Sequence, residues 1–118
     1  MYSDAVLEHF RKPHNTGDLP DATAVVEVAN PVCGDVLRLT VRFAAGCIAE
    51  ARFKTQGCVA SIASGSMLTD LLVGKTAAEA HSITAQQIAD ALDGLPSASF
   101  HAAQLCADAV DALLRKLA

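Results

Sequence analysis

At 118 residues, 52% of them hydrophobic and 19% charged, the chain is sized for one domain with one packed core and is too apolar for wholesale disorder. A net charge of −4, with 4% aromatic residues and no tryptophan, excludes a nucleic-acid binder, which needs clustered Lys and Arg and rings for stacking. No apolar run approaches the roughly 20 residues of a membrane span. The opening Met1-Tyr2-Ser3-Asp4-Ala5-Val6 lacks the basic stretch and apolar core of a signal peptide. The chain is therefore expected to be cytoplasmic, off the membrane, with reduced thiols.

In chain order, Ser3 is an N-cap for a short helix whose apolar residues Val6, Leu7 and Phe10 recur at helical spacing until Pro13 stops it. Residues 13–22 carry two prolines and a glycine and read as a loop. The period then changes. Val26 and Val28 alternate with Val25, Glu27 and Ala29 in a strand ended by Asn30-Pro31. Residues 36–43 alternate more clearly, Leu37, Leu39, Val41 and Phe43 facing a core and Val36, Arg38, Thr40 and Arg42 facing away. A turn over 44–46 leads to a third strand over 48–54, so the economical topology is a three-stranded antiparallel meander. Residues 59–73 are small and apolar nearly all round, which suits a helix buried between layers, and Gly74 ends it. Thr76 with Glu79 and Thr84 with Gln87 have capping-box spacing and start two short helices. The last helix runs from about Ser99 to Leu117, with Leu105, Ala109, Ala112, Leu113 and Leu117 as its apolar positions. One sheet with helices packed on one face is an α+β arrangement.

Of four cysteines, Cys33 and Cys58 stand on glycine-flanked connections, Cys33-Gly34-Asp35 before the second strand and Gly57-Cys58 before the buried helix. A helix N-terminus favours thiolate over thiol, and thiolate is the form that binds metal. Strands of matched length in an antiparallel hairpin return Cys58 to the end of the sheet where Cys33 lies. Asp35 either ligates a metal there or caps a turn. His101 and Cys106 open the last helix, but residues five apart are separated by about 140° around its axis. Cys106 is equally suited to a core. Cys47, in the opposite turn, is structural, and His9, His14 and His81 read as surface residues. Phosphate-binding loops, dinucleotide turns and nucleophile elbows are absent, and the Cys–His combination has no orienting third group, so an enzyme is not expected.

These residues resemble a known family, the U-type iron–sulfur cluster scaffolds (IscU-like proteins and the N-terminal domain of NifU). The likeness runs through Tyr2-Ser3-Asp4, His9-Phe10, Pro13-His14-Asn15-Thr16-Gly17 and Cys33-Gly34-Asp35-Val36. It continues through Ala51 to Cys58, Ser61-Ile62-Ala63-Ser64-Gly65-Ser66 and Gly74-Lys75-Thr76. The resemblance implies a three-stranded antiparallel sheet with helices on one side and a [2Fe–2S] cluster assembled at Cys33, Asp35, Cys58 and a third cysteine at the start of the last helix. It implies iron as a substrate, sulfur from a cysteine desulfurase, delivery to apo-iron–sulfur proteins, and zinc as a frequent occupant of the purified site. Two departures stand out. Ala102 follows His101 where the family carries its third cysteine, leaving His101 and Cys106, one turn further on, as candidate ligands. Leu95-Pro96-Ser97-Ala98-Ser99 replaces the Leu-Pro-Pro-Val-Lys read by a dedicated Hsp70-type chaperone, which puts that partner in question. The expected function is a scaffold that builds and hands on a cluster, with Cys33 and Cys58 as thiolate ligands and Asp35 as the labile one. The alternatives are a zinc-bound sulfur acceptor that activates a desulfurase, and an interaction module whose metal site has decayed.

Overall fold

The computed structural model describes residues 1–31 and 34–117. Among these, the strands β1 (Ala24–Ala29), β2 (Val36–Ala44) and β3 (Cys47–Gln56) form one antiparallel sheet in the order β1-β2-β3. Alternation places Leu37, Leu39 and Val41 inward, each at most 1% exposed, paired across the ladder with Val28, Val26 and Ala24 on one side and Thr55, Phe53 and Ala51 on the other. The register pairs Val36 with Gln56, so Asp35 and Gly57 leave the hairpin side by side. A bulge between Arg42 and Phe43 twists its far end, where Cys47 sits half-buried.

The helix α1 (Asp4–Arg11) starts as expected at Ser3, whose Oγ accepts the Val6 N–H at 3.1 Å. The helix α2 (Val59–Leu72) is buried on nearly every side and packs on β3. Gly65 makes that approach possible: a Cβ there would stand 2.6 Å from the Phe53 ring. Two one-to-two-turn helices follow, α3 (Ala77–His81) and α4 (Ala85–Ala91), each opened by the expected capping box, Thr76 with Glu79 and Thr84 with Gln87. A 3₁₀ turn over Ser97–Ser99 leads into α5 (Phe100–Leu117), which lies across β1 and β2 and against α2 and α4. Among the described residues no helix is long and apolar enough to cross a membrane.

Several side chains sit differently from their sequence patterns. Phe10 is exposed on α1 while His9 is buried, because the face of α1 that meets α2 is centred on Val6 and His9. The His9 Nδ1 lies 2.7 Å from Ser66 Oγ, and burial, reinforced by the neighbouring His14, lowers its pKa. Thr40, on the outward face of β2, is 1% exposed, because the 13–22 loop crosses that face and Thr40 Oγ1 accepts the Leu19 N–H at 3.1 Å. The same loop extends the sheet edge: Phe53 N–H donates to Asn15 O and Gly17 N–H to Phe53 O, at 3.0 and 2.9 Å. Leu117, at the end of α5, is 38% exposed, since the helix runs past the core it covers.

Candidate metal centre

Cys58 is the N-cap of α2 in extended conformation, and its side chain makes no capping hydrogen bond. The sulfur instead points to the end of the sheet, 3.9 Å from Asp35 Oδ2 and 3.4 Å from Ser61 Oγ. Asp35 reaches the same point from the β1–β2 connection. That connection is closed by two backbone bonds of 2.8 Å, Asn30 N–H to Asp35 O and Gly34 N–H to Asn30 O, with Gly34 at φ +78°, a region that favours glycine. Asp35 is 8% exposed, and the Ser61 hydroxyl donates a hydrogen bond to its Oδ2. Gly57 makes room for it, since a Cβ there would meet Asp35 Cγ at 2.8 Å.

The third arm comes from α5. His101 lies in its first turn, with Nε2 3.6 Å from Asp35 Oδ2 and Nδ1 3.1 Å from the Ala98 carbonyl oxygen. A carbonyl only accepts, so Nδ1 donates in that contact, and the ring turns its Nε2 toward the Asp35 carboxylate. This is the arrangement in which a backbone carbonyl orients a ligating imidazole. One ligand atom each from Asp35, Cys58 and His101 all lie within 4.8 Å of one another. The donors are one soft sulfur, one imidazole nitrogen and one hard oxygen, half-open to solvent through the 32%-exposed His101 side chain.

Cys33, expected to be a ligand, lies outside the described residues together with Val32 and Ala118. Cys106 does not join the group. It is 1% exposed within the hydrophobic core, and burial pushes its thiol up to about 12, so it stays protonated and poorly suited to metal at neutral pH. Ser61 was not singled out as part of the site by its sequence pattern, although a signal exists. It stands three residues after Cys58, hence on the same side of the first turn of α2.

The description of a NifU-like N-terminal domain matches residues 1–117 of the chain. A relative from Archaeoglobus fulgidus, the iron–sulfur cluster assembly scaffold protein IscU 1, is 44% identical over 93% of this chain and 72% of its own length. The IscU scaffold protein of Azotobacter vinelandii is 41% identical over 97% of this chain and 91% of its own. The crystal structure of FiSufU from the thermophile Fervidobacterium islandicum AW-1 superimposes with a TM-score of 0.80 over 96% of both chains at 22% identity, and so shares the fold.

Proposed function

The chain belongs to the family of the NifU-like N-terminal domain, and from that premise we propose that it is an iron–sulfur cluster assembly scaffold that acts by holding cargo rather than by catalysis. The observation that carries this is the convergence of Asp35, Cys58 and His101 at one end of the sheet. Iron and sulfide are the substrates and a [2Fe–2S] cluster is the product, kept on thiolates because sulfur ligands match iron–sulfur clusters best. Cys58 supplies one thiolate, and Cys33, two residues before Asp35 in the chain, supplies a second. His101 offers its Nε2 in place of a third. Asp35 is the labile ligand: a carboxylate is a harder, weaker partner for the cluster, and the Ser61 hydroxyl already competes for its oxygen. A cysteine desulfurase provides the sulfur as a persulfide, an electron-donor protein supplies the two electrons that reduce it to sulfide, and apo-iron–sulfur proteins receive the cluster.

The same three donors suit tetrahedral zinc, which accepts sulfur, nitrogen and oxygen ligands together. That favours a second reading, a zinc-bound acceptor of persulfide sulfur that speeds a desulfurase.

Anaerobic reconstitution of the full chain, with its thiols reduced, by ferric iron and sulfide tests the first reading. Iron and sulfide in equal amounts, with thiolate-to-iron charge-transfer absorption, are expected. Cys58→Ser should abolish both, and Asp35→Ala should hold the cluster longer and release it more slowly to an apo-ferredoxin. A Cys58→Ser chain that assembles the cluster as well as wild type overturns the scaffold reading. Stimulated desulfurase turnover without any cluster formation would select the zinc-bound acceptor.

A further inference from the structure

A second group of metal-ligating side chains lies away from Cys58, where α1, the 13–22 loop and the C-terminal half of α2 meet. One ring nitrogen each of His9 and His14 and a carboxylate oxygen of Asp70 all lie within 4.8 Å of one another. Ser66, the α2 residue at this place, is eight residues from Cys58, or about 12 Å along the helix axis. The two groups are therefore separate sites.

The surroundings of this second group are built. His9 is held inside the α1–α2 contact, its Nδ1 2.7 Å from Ser66 Oγ. That same Oγ accepts the backbone N–H of His14 at 2.8 Å, which ties the loop to the helix. His14 Nδ1 lies 2.6 Å from Asp70 Oδ2, and the His9 and His14 rings are tilted by 50° at a centroid separation of 4.7 Å. Asn15 donates from Nδ2 to the other Asp70 oxygen at 3.3 Å and to Thr69 Oγ1 at 3.1 Å. Ser66 and Asn15 thus stand behind His9 and Asp70 as hydrogen-bonding partners stand behind metal ligands. The backbone bonds of Asn15 and Gly17 to Phe53 hold the loop itself against β3.

We propose that His9, His14 and Asp70 form a second site, for a divalent first-row transition-metal ion, of the two-histidine, one-carboxylate type. Metal bonds of about 2.0–2.2 Å to nitrogen and oxygen place the ligand atoms of a tetrahedral site roughly 3.3 Å apart. The three groups reach that spacing by small side-chain rotations. His14 and Asp70, with side chains 49% and 36% exposed, are free to make them, while His9 stays anchored. With His14 and Asp70 open to solvent and His9 behind them, three protein ligands leave at least one position for water, an open coordination sphere that suits iron(II) or zinc. With no sulfur among the three, an ion here is spectroscopically distinct from one at Cys58.

Titration of the anaerobic full chain with cobalt(II) alone, followed by absorption and equilibrium dialysis, tests the site. Wild type should end one equivalent higher than His14→Ala and Asp70→Asn, the two affected residues being exposed enough to change without unfolding. That extra equivalent should bring weak d–d absorption and no thiolate-to-metal charge transfer, and its affinity should fall at least tenfold in either variant. His81→Ala, at the exposed end of α3, should match wild type. An equal end point for wild type and His14→Ala overturns the proposal, as does a lost equivalent that carries the charge-transfer band. Either failure leaves the Cys58 centre to be judged by its own thiolate signature.

Discussion

His101 and Cys106 stand on one helix, five residues apart, and burial separates their roles. His101 turns its Nε2 to Asp35 from the first turn of α5, whereas Cys106 faces the core at 1% exposure. Cys106→Ser should leave metal stoichiometry unchanged while burying a hydroxyl, at a cost of about 1–3 kcal/mol in urea unfolding. His101→Ala should do the opposite, weakening zinc binding at the Cys58 centre by at least about tenfold, of the order seen when the orientation of a ligand is lost. A chelator-competition titration that finds His101→Ala indistinguishable from wild type would remove His101 from the centre. The raised Cys106 pKa also fixes a sign. The folded protein keeps this proton up to about pH 12, while the unfolded chain loses it near 9.0, so this contribution to stability is complete below pH 9.0 and is lost as pH rises towards 12. Alkylation at mildly alkaline pH should accordingly label Cys58 and Cys47, both partly exposed, well before Cys106.

Two glycines decide how closely the elements approach one another. Gly65 lets α2 lie against the fully buried Phe53 of β3, and a Cβ 2.6 Å from that ring forces the helix or the ring to shift. Gly65→Ala should therefore cost about 1–3 kcal/mol, the usual range for overpacking, and lower the urea midpoint. A Cβ at Gly57 would stand 2.8 to 2.9 Å from the Asp35 carboxylate and the Ser61 Cβ. Gly57→Ala should displace that carboxylate and weaken metal binding, with a smaller loss of stability than Gly65→Ala because Gly57 is exposed. Equal urea midpoints for Gly65→Ala and wild type would show that the α2–β3 contact has slack that the packing does not suggest.

The Cys58 centre is built by three segments far apart in the chain: the connection before β2, the start of α2 and the start of α5. A metal ion held there would tie sheet and helices together and so favour the folded state. At a free concentration of 100 times its dissociation constant, such an ion adds about 2.7 kcal/mol of stability. Thermal unfolding with buffered zinc should show a rise in midpoint for wild type, and Cys58→Ser should lose most of it. An equal rise in the two proteins would mean that zinc stabilises the fold from somewhere else. His14→Ala measured alongside reports whether the His9–His14–Asp70 group contributes the remainder.

Local information determined much of this protein. Alternation over 36–43 marked the inward leucine row, Ser3, Thr76 and Thr84 marked three helix starts, and hairpin geometry returned Cys58 to the end of the sheet where β2 begins. Each of these depends on neighbours within a few residues or on one ladder. Tertiary structure decided the rest, because periodicity gives the spacing of a face and not what packs on it. His9, which reads as a surface residue, is buried because Ser66 of α2 lies opposite. Thr40, on the polar side of its strand, is covered because a distant loop sends Leu19 across it. The different surroundings of His101 and Cys106 were invisible locally, since they depend on the rotation of α5 about its own axis. That rotation is set by burying Ala102, Leu105, Cys106, Ala109 and Leu113 together, which leaves His101 at the margin facing Asp35.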